Sequence, residues 1–366
     1  MRCESDNIGI IDLDCNRAPP RIIVPKIAKI SYTNNVSDLI SIIIPNYNGE
    51  YSIGKCLEAV FSSGYDNFEV IVVDDCSVDN SIEIIKRFPC KLVSLKERSG
   101  ASKARNAGAR NSNGKLLFFI DSDCIVKEEA LSIASAAYAA NGPDVVVGGT
   151  YTPMSYDKRF FSIFQSVFIN YSETKNLENP DYIATHAMAI DAETFRKSGG
   201  FPEVFMPIIE DVEYSHRIRR AGYKLIMNPD LLVQHIFNYS FSRSMQNAFK
   251  KSKFWTIYSI NNKDLLVDSG TASVELKVNV LSFFLNLLFL LLWIFTQNSL
   301  LLYPIPLIFA VNIFINRRLI GAFYETKGLF FAFPATLYYT LLYPLAVGTG
   351  GIAGVMKHYL SKKKGF

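Results

Sequence analysis

Leu116-Leu117-Phe118-Phe119-Ile120-Asp121-Ser122-Asp123 is a short apolar run that ends on two carboxylates one residue apart. A run of this length bounded by polar residues has the dimensions of a buried strand. Working outward, Ser41–Pro45 runs into Asn46-Tyr47-Asn48-Gly49-Glu50, and Val70–Val73 runs into Asp74-Asp75-Cys76-Ser77 and then Asp79. Lys91–Leu95 and Val145–Val147 are two further β-branched runs, and helix-like segments separate all five. That alternation predicts an α/β domain with a mostly parallel sheet. In open sheets of this kind, ligands bind beyond the carboxyl ends of the strands, which is where these polar residues collect. An Asp after a strand is by itself ordinarily a turn or helix cap. Polar ends on three strands of one half-sheet point instead to a binding site. Neither G-x-G-x-x-G nor G-x-x-x-x-G-K-[ST] follows any of these runs, so neither glycine-rich loop supplies a phosphate site. Asp121 and Asp123 can aim carboxylate oxygens at one hard divalent cation, Mg²⁺ or Mn²⁺, that in turn bridges an anionic substrate.

The chain has 366 residues, 49% hydrophobic and only 20% charged, and its mean hydropathy is +0.15. That is too apolar for an ordinary soluble enzyme. Six cysteines without a C-x-x-C pair exclude a disulfide scaffold and read as reduced thiols. A net charge of +4 makes nucleic acid a poor candidate partner. The apolar excess lies near the C-terminus: Val278 to Asn316 holds no Asp, Glu, Lys or Arg, and Thr296-Gln297-Asn298-Ser299 breaks it into two apparent membrane segments. Gly328 to Met356 is a third uncharged stretch, with Pro334, Pro344 and Gly348–Gly351 predicting a kinked or re-entrant path. Arg317, Arg318 and Lys327 on one side, and Arg243, Lys250, Lys251, Lys253 and Lys277 on the other, place both flanks on the cytoplasmic face. Two crossings with a re-entrant third segment, or three crossings, both fit. Phe241 to Tyr258 reads equally as an interfacial helix or an ordinary surface helix. The expected organisation is an arm at 1–36, an α/β domain at 37–240, an amphipathic linker at 241–275 and a membrane region at 276–366, with segments at about 278–296, 299–316 and 328–350.

Other groups with chemistry follow the first sheet half. Ala104-Arg105-Asn106-Ala107-Gly108 is a small-residue helix whose guanidinium can reach phosphate. Gly199-Gly200-Phe201-Pro202 predicts a sharp turn, Glu210-Asp211 opens a helix over Val212–Ala221 that stops at Gly222, and Val233-Gln234-His235 offers a metal-ligating imidazole. His216, on the same helix, is expected at the surface. Together, Pro45-x-Tyr47-Asn48-x-Glu50, Asp74-Asp75-x-Ser77-x-Asp79, Ala104-Arg105-Asn106-x-Gly108, Asp121-x-Asp123, Gly199-Gly200-Phe201, Glu210-Asp211 and Arg219-Arg220-x-Gly222-Tyr223 resemble the family 2 glycosyltransferases in order and spacing.

The resemblance covers about residues 39 to 240 and implies a GT-A fold that transfers a sugar from a nucleotide diphospho-sugar with inversion. It implies that Tyr47 and Asp75 contact the nucleobase, with Pro45, Asn48 and Glu50 shaping that pocket. Arg105 would support the nucleotide, Asp121 and Asp123 the ribose and metal, and His235 would be the late metal-binding histidine. Asp211 would be the general base, with Glu210 beside it in the acceptor pocket. A base suits a hydroxyl acceptor on a lipid-linked or membrane glycan, whereas a polyprenyl phosphate would already be anionic. A polyprenyl-phosphate glycosyltransferase and a catalytically idle membrane scaffold or nucleotide-sugar-binding subunit are the competing expectations. Thr185 to Ala192 departs from the family pattern, leaving His186 as a sugar or phosphate contact. No Arg-Trp follows Gln246, so single addition is expected instead of polymer synthesis.

Overall fold

The computed structural model describes residues 38–203 and 208–363, so the expected arm at 1–36 lies outside the described residues. One eight-stranded sheet organises the chain from Asp38 onward. Its strands are β1 (Ile40–Asn46), β2 (Phe68–Asp74), β3 (Lys91–Ser94), β4 (Leu116–Phe119), β5 (Cys124–Val126), β6 (Val145–Tyr151), β7 (Met188–Asp191) and β8 (Lys224–His235), in the spatial order β3-β2-β1-β4-β7-β6-β8-β5. β3, β2, β1 and β4 are parallel, β7 is antiparallel to both neighbours, and β5 runs antiparallel to β8. The five runs legible in the sequence are all strands. β5, β7 and β8 are additions from weaker patterns.

Continuous apolar runs are required because both faces of the sheet are covered. Ile42, Ile44, Val72 and Phe118 point into one core cluster, while Ile43, Ile71, Val73 and Phe119 point into another. The Ala101–Arg110 helix lies against β1, where Gly108 is needed: a Cβ there would stand 2.4 Å from Ile43 Cγ2. Register then decides the site. β5 pairs with the end of β8 so that Cys124 lies opposite His235, which brings residues 111 positions apart to one sheet edge.

Two described helices are long and apolar enough to cross a membrane, Val274–Thr296 and Leu329–Leu360. Ser299–Ile315 and Arg317–Lys327 form a pair bent by 63°. The second expected segment therefore ends near Ile315. The Arg317–Lys327 helix turns back onto the domain, where Phe323 stacks on Phe164 at 5.4 Å. Leu329–Leu360 is one 32-residue helix that absorbs Pro334 and carries a π turn at Tyr338–Leu342. Half of its most apolar window is buried, against 11% for Val274–Thr296, because it packs along the Phe241–Asn262 helix. That contact is close: Ser252 Oγ donates to the Val347 carbonyl, and a Cβ on Gly350 would stand 2.4 Å from the Phe249 carbonyl oxygen. Asn279 donates to the Tyr339 carbonyl at the π turn (2.7 Å) and accepts from Asn312 (2.8 Å), so the helices share a buried polar network.

Candidate active site

The loops after β1 and β2 build one wall of the site. Asp75 is buried, and its carboxylate accepts from the backbone N–H groups of Ser99 (2.6 Å) and Gly100 (2.8 Å). Gly100 has φ +87°, a left-handed conformation that lets the chain enter the Ala101–Arg110 helix. The loop held in this way carries Arg98, whose guanidinium lies 4.0 Å above the Tyr47 ring. Tyr47, Asp75, Arg98, Glu210 and Lys250 border a cavity of about 350 Å³. Asn48 and Glu50 act elsewhere. Asn48 Oδ1 accepts from the Val78 N–H (2.9 Å), and Glu50 Oε2 accepts from the N–H and side chain of Asn80 (3.0 and 3.1 Å). Both therefore fasten the β1 loop to the β2 loop. Pro45 lies within β1 opposite Val73.

Behind that wall sits a buried three-residue ion network. Arg105 donates through Nη2 to Asp121 Oδ1 (2.6 Å) and through Nη1 to Glu210 Oε1 (2.7 Å). The guanidinium expected to meet phosphate is thus engaged by two carboxylates. Burial alone would raise the Asp121 pKa, but Arg105, His186 and His235 more than offset it and hold the carboxyl below its usual value. Asn106, next on the helix, donates to the Phe201 carbonyl (2.8 Å) and accepts from the Phe201 N–H (2.9 Å). This pins the Gly199-Gly200 turn, where both residues have positive φ. The Arg-Asn pair therefore links Asp121 and Glu210 to the Gly199–Phe201 turn.

Asp211 stands at the first turn of that helix, where backbone N–H groups favour a carboxylate. Burial and then the neighbouring charge of Glu210 push its pKa up to about 7, against the opposing effects of Arg105, the Val212 N–H and Lys251. Glu210 is buried, with Oε1 on Arg105 and Oε2 without a hydrogen-bond partner among the described residues.

The metal-ligand geometry is tighter around Asp123 than around Asp121. Asp123, Cys124 and His235 have ligand atoms within 4.8 Å of one another, with His235 Nε2 3.4 Å from Asp123 Oδ1. His235 Nδ1 is buried and without a partner among the described residues. Burial holds the His235 pKa below its usual value in spite of Asp123 and Asp121, so a neutral imidazole with a free lone pair is favoured. A carboxylate and an imidazole suit Mg²⁺ or Mn²⁺, whereas the Cys124 thiol, pushed far up by burial, is a poor partner for either. Asp121 is one residue from this group but turned to Arg105.

Four further residues lie in or around the site, of which His186 was expected there as a sugar or phosphate contact. His186 stacks on Tyr151 at 4.0 Å with Nε2 3.4 Å from Glu173 Oε2, and Glu173 raises its pKa past the opposing effect of burial. Lys251 reaches in from the Phe241–Asn262 helix and is acted on by Asp211, Glu173, Asp121 and Glu210. In the sequence it stands only as one of the flanking cations of an amphipathic stretch. Arg98 was findable as the basic residue after a strand. His216 is not a free surface residue: its ring joins Tyr258 (2.8 Å) and Asp181 (2.9 Å), clamping the helix of Asp211 to that of Lys251.

Residues 41–197 match the model of glycosyl transferase family 2. Over 203 residues the chain is 29% identical to glycosyltransferase AglE of Haloferax volcanii, covering 54% of this chain and 66% of that one. Over 90 residues it is 37% identical to UDP-Glc:alpha-D-GlcNAc-diphosphoundecaprenol beta-1,3-glucosyltransferase WfgD of Escherichia coli, covering 24% and 36%. The chain spans less than two thirds of the length of these curated relatives. Mannosyltransferase PcManGT from Pyrobaculum calidifontis, solved with GDP-Man and Mn²⁺, superposes with a TM-score of 0.53 at 17% identity over 88% of this chain and 87% of that one, a likeness of fold.

Proposed function

The chain carries a family 2 glycosyltransferase domain of GT-A fold, and from that premise we propose that it is a membrane-bound inverting glycosyltransferase. In this reading it moves a sugar from a nucleotide diphospho-sugar to a hydroxyl of a lipid-linked or membrane glycan acceptor. The observation that carries the reading is Asp211, a carboxyl with its pKa raised to about 7 beside Glu210. Displacement at an anomeric carbon with oxocarbenium character needs a nucleophile deprotonated as the bond forms, and a base poised near the working pH does this best. A polyprenyl phosphate would need no such base, so the hydroxyl acceptor is favoured. WfgD, by its name, uses a hydroxyl of this kind on a lipid diphosphate.

The remaining residues divide the work. Tyr47, Asp75 and Arg98 would receive the nucleotide end of the donor, with Asn48, Glu50 and Pro45 acting through the fixed loop. Arg105 is a positioning residue that holds the Asp121 and Glu210 carboxylates through its two terminal nitrogens. Asp123 and His235 would hold the divalent cation, which when bound neutralises the leaving diphosphate. The two long apolar helices would keep the domain at the bilayer, and Arg317 and Arg318, on the turned-back helix, would place it on the cytoplasmic face.

The test is nucleotide release by the detergent-purified chain with a panel of nucleotide sugars, with and without membrane lipid extract, and with and without EDTA. Metal-dependent release that requires the extract is expected. Release that is independent of lipid and metal would refute the proposal, and competition by a polyprenyl phosphate would move it to the lipid-phosphate class.

A further inference from the structure

A second cavity, of about 550 Å³, lies where the Phe160–Thr174, Phe241–Asn262, Val274–Thr296 and Leu329–Leu360 helices meet. Phe168, Trp255, Phe284, Val347 and Ile352 are among the side chains that make its walls apolar. Its width is set by small residues. A Cβ on Gly348 would stand 2.3 Å from the Phe284 ring, so that helix pair is in contact, whereas one on Gly351 would meet only Ser252 Oγ and Thr256 Oγ1, both at 3.6 Å. Polar groups interrupt the apolar lining: Ser252, Thr256, Thr271 and Lys277, whose Nζ donates to the Val267 carbonyl, and also Gln165 and Lys251. Gln165 is 1% exposed and its Oε1 has no partner among the described residues. Lys251 lines the same cavity, its side chain makes no hydrogen bond or ion pair among the described residues, and Asp211, Glu173, Asp121 and Glu210 lie near enough to act on its charge.

An ammonium group between a carboxylate-rich site and an apolar chamber marks where an anionic head and a hydrocarbon tail meet. Desolvation makes an unpaired cation costly, so an anion arriving from the apolar side gains a partner that water would otherwise screen. Two of the walls are helices long enough to cross a membrane, which gives such a molecule a route from the bilayer.

We propose that this cavity seats the hydrocarbon chain of a lipid-diphosphate acceptor, with the diphosphate on Lys251 and the sugar hydroxyl delivered to Asp211. The inference rests on the glycosyltransferase reading and assigns its acceptor a place. Neither Lys251 nor the cavity takes part in the chemistry. They position the acceptor.

The experiment is photolabelling of the full chain in zwitterionic nanodiscs with farnesyl diphosphate bearing a diazirine at its terminal isoprene, compared with the matching farnesol. Label should map to the cavity faces of the Val274–Thr296 and Leu329–Leu360 helices, and the diphosphate should label about tenfold better than the alcohol. Lys251→Met should remove that preference while keeping label from the alcohol. Gly351→Leu, which fills the chamber, should cut labelling by both probes about tenfold. Leu281→Trp, at a side chain 59% exposed, provides a second obstruction should the glycine variant not fold. Equal labelling by both probes, or label spread over Leu288 and Leu292 and indifferent to either obstruction, would overturn the proposal. Labelling needs no donor and no turnover. Correct labelling without sugar transfer from any nucleotide sugar would therefore sink the enzyme reading alone, and transfer without cavity labelling would sink this one alone.

Discussion

Replacing Asp211 with asparagine should stabilise the protein above neutral pH while removing its turnover. Burial and the charge of Glu210 raise the carboxyl from an ordinary value of 3.8 to about 7. A shift of about three units corresponds to roughly 4 kcal/mol, and partial solvent screening brings the expected effect to about 2 kcal/mol. The sign follows from linkage. A folded-state pKa above the unfolded value contributes stability that is fully present below pH 3.8 and is lost as pH rises toward 7. At pH 8 the wild type therefore bears an ionised carboxylate its surroundings disfavour, and the amide does not. For a domain of about 200 residues this is a melting temperature about 4–8 °C higher for Asp211→Asn at pH 8, with the gap narrowing toward pH 4. Intrinsic-fluorescence melts in detergent and EDTA at several pH values read the stability. Nucleotide release reads the turnover, which should fall by about 10²–10⁴-fold. A gap that is absent at pH 8, or unchanged with pH, would show that Asp211 is not held in a disfavoured charged state. Near-normal turnover would refute the base assignment.

Arg105→Met leaves Asp121 and Glu210 without their shared partner and should cost about 3–5 kcal/mol, seen as a lowered melting temperature at pH 7.5. Because the Asp121 pKa is depressed in the folded protein, its contribution is present above the unfolded value and lost as pH falls, so the deficit should shrink in acid. His235→Ala should weaken Mn²⁺ binding by at least about tenfold in an EPR titration, with the fold retained by circular dichroism; unchanged affinity would move the cation elsewhere. Gly200→Ala should destabilise by about 1–3 kcal/mol, since φ is +67° and a Cβ would lie 2.6 Å from Asn106 Oδ1. Asp75→Ala releases Ser99 and Gly100 and should weaken nucleotide binding in calorimetry, whereas equal affinity would show that the loop carrying Arg98 does not form the nucleotide wall.

β1, β2 and β4 were legible because they are largely buried on both faces and therefore read as apolar runs ending in polar residues. β5 and β8 were harder to see. β5 has three residues, and β8 mixes Asn228, Pro229 and Asp230 into its middle. Asp211 and Glu210 stood out in sequence as an acidic pair at a helix start, but that pattern is shared with ordinary caps, and only the packing against Arg105 separates their roles. The third apolar segment was expected to kink or re-enter on account of its prolines and glycines. Its glycines instead let it lie against the Phe241–Asn262 helix, because a missing Cβ brings two backbones together as readily as it loosens one.

Local sequence, then, determined what the chain is made of: an α/β domain whose ordered motifs resemble those of the family 2 glycosyltransferases, acidic strand ends, and an apolar C-terminal region. Those properties belong to residues near one another in sequence, where strand and helix periodicities operate. Tertiary structure decided which charges meet. Arg105 faces carboxylates instead of phosphate, His235 reaches Asp123 through strand register, and Lys251 arrives from a helix about forty residues beyond Asp211. Electrostatic environment depends on distance in space and on burial, and neither is fixed by the order of residues until the sheet and helices have packed.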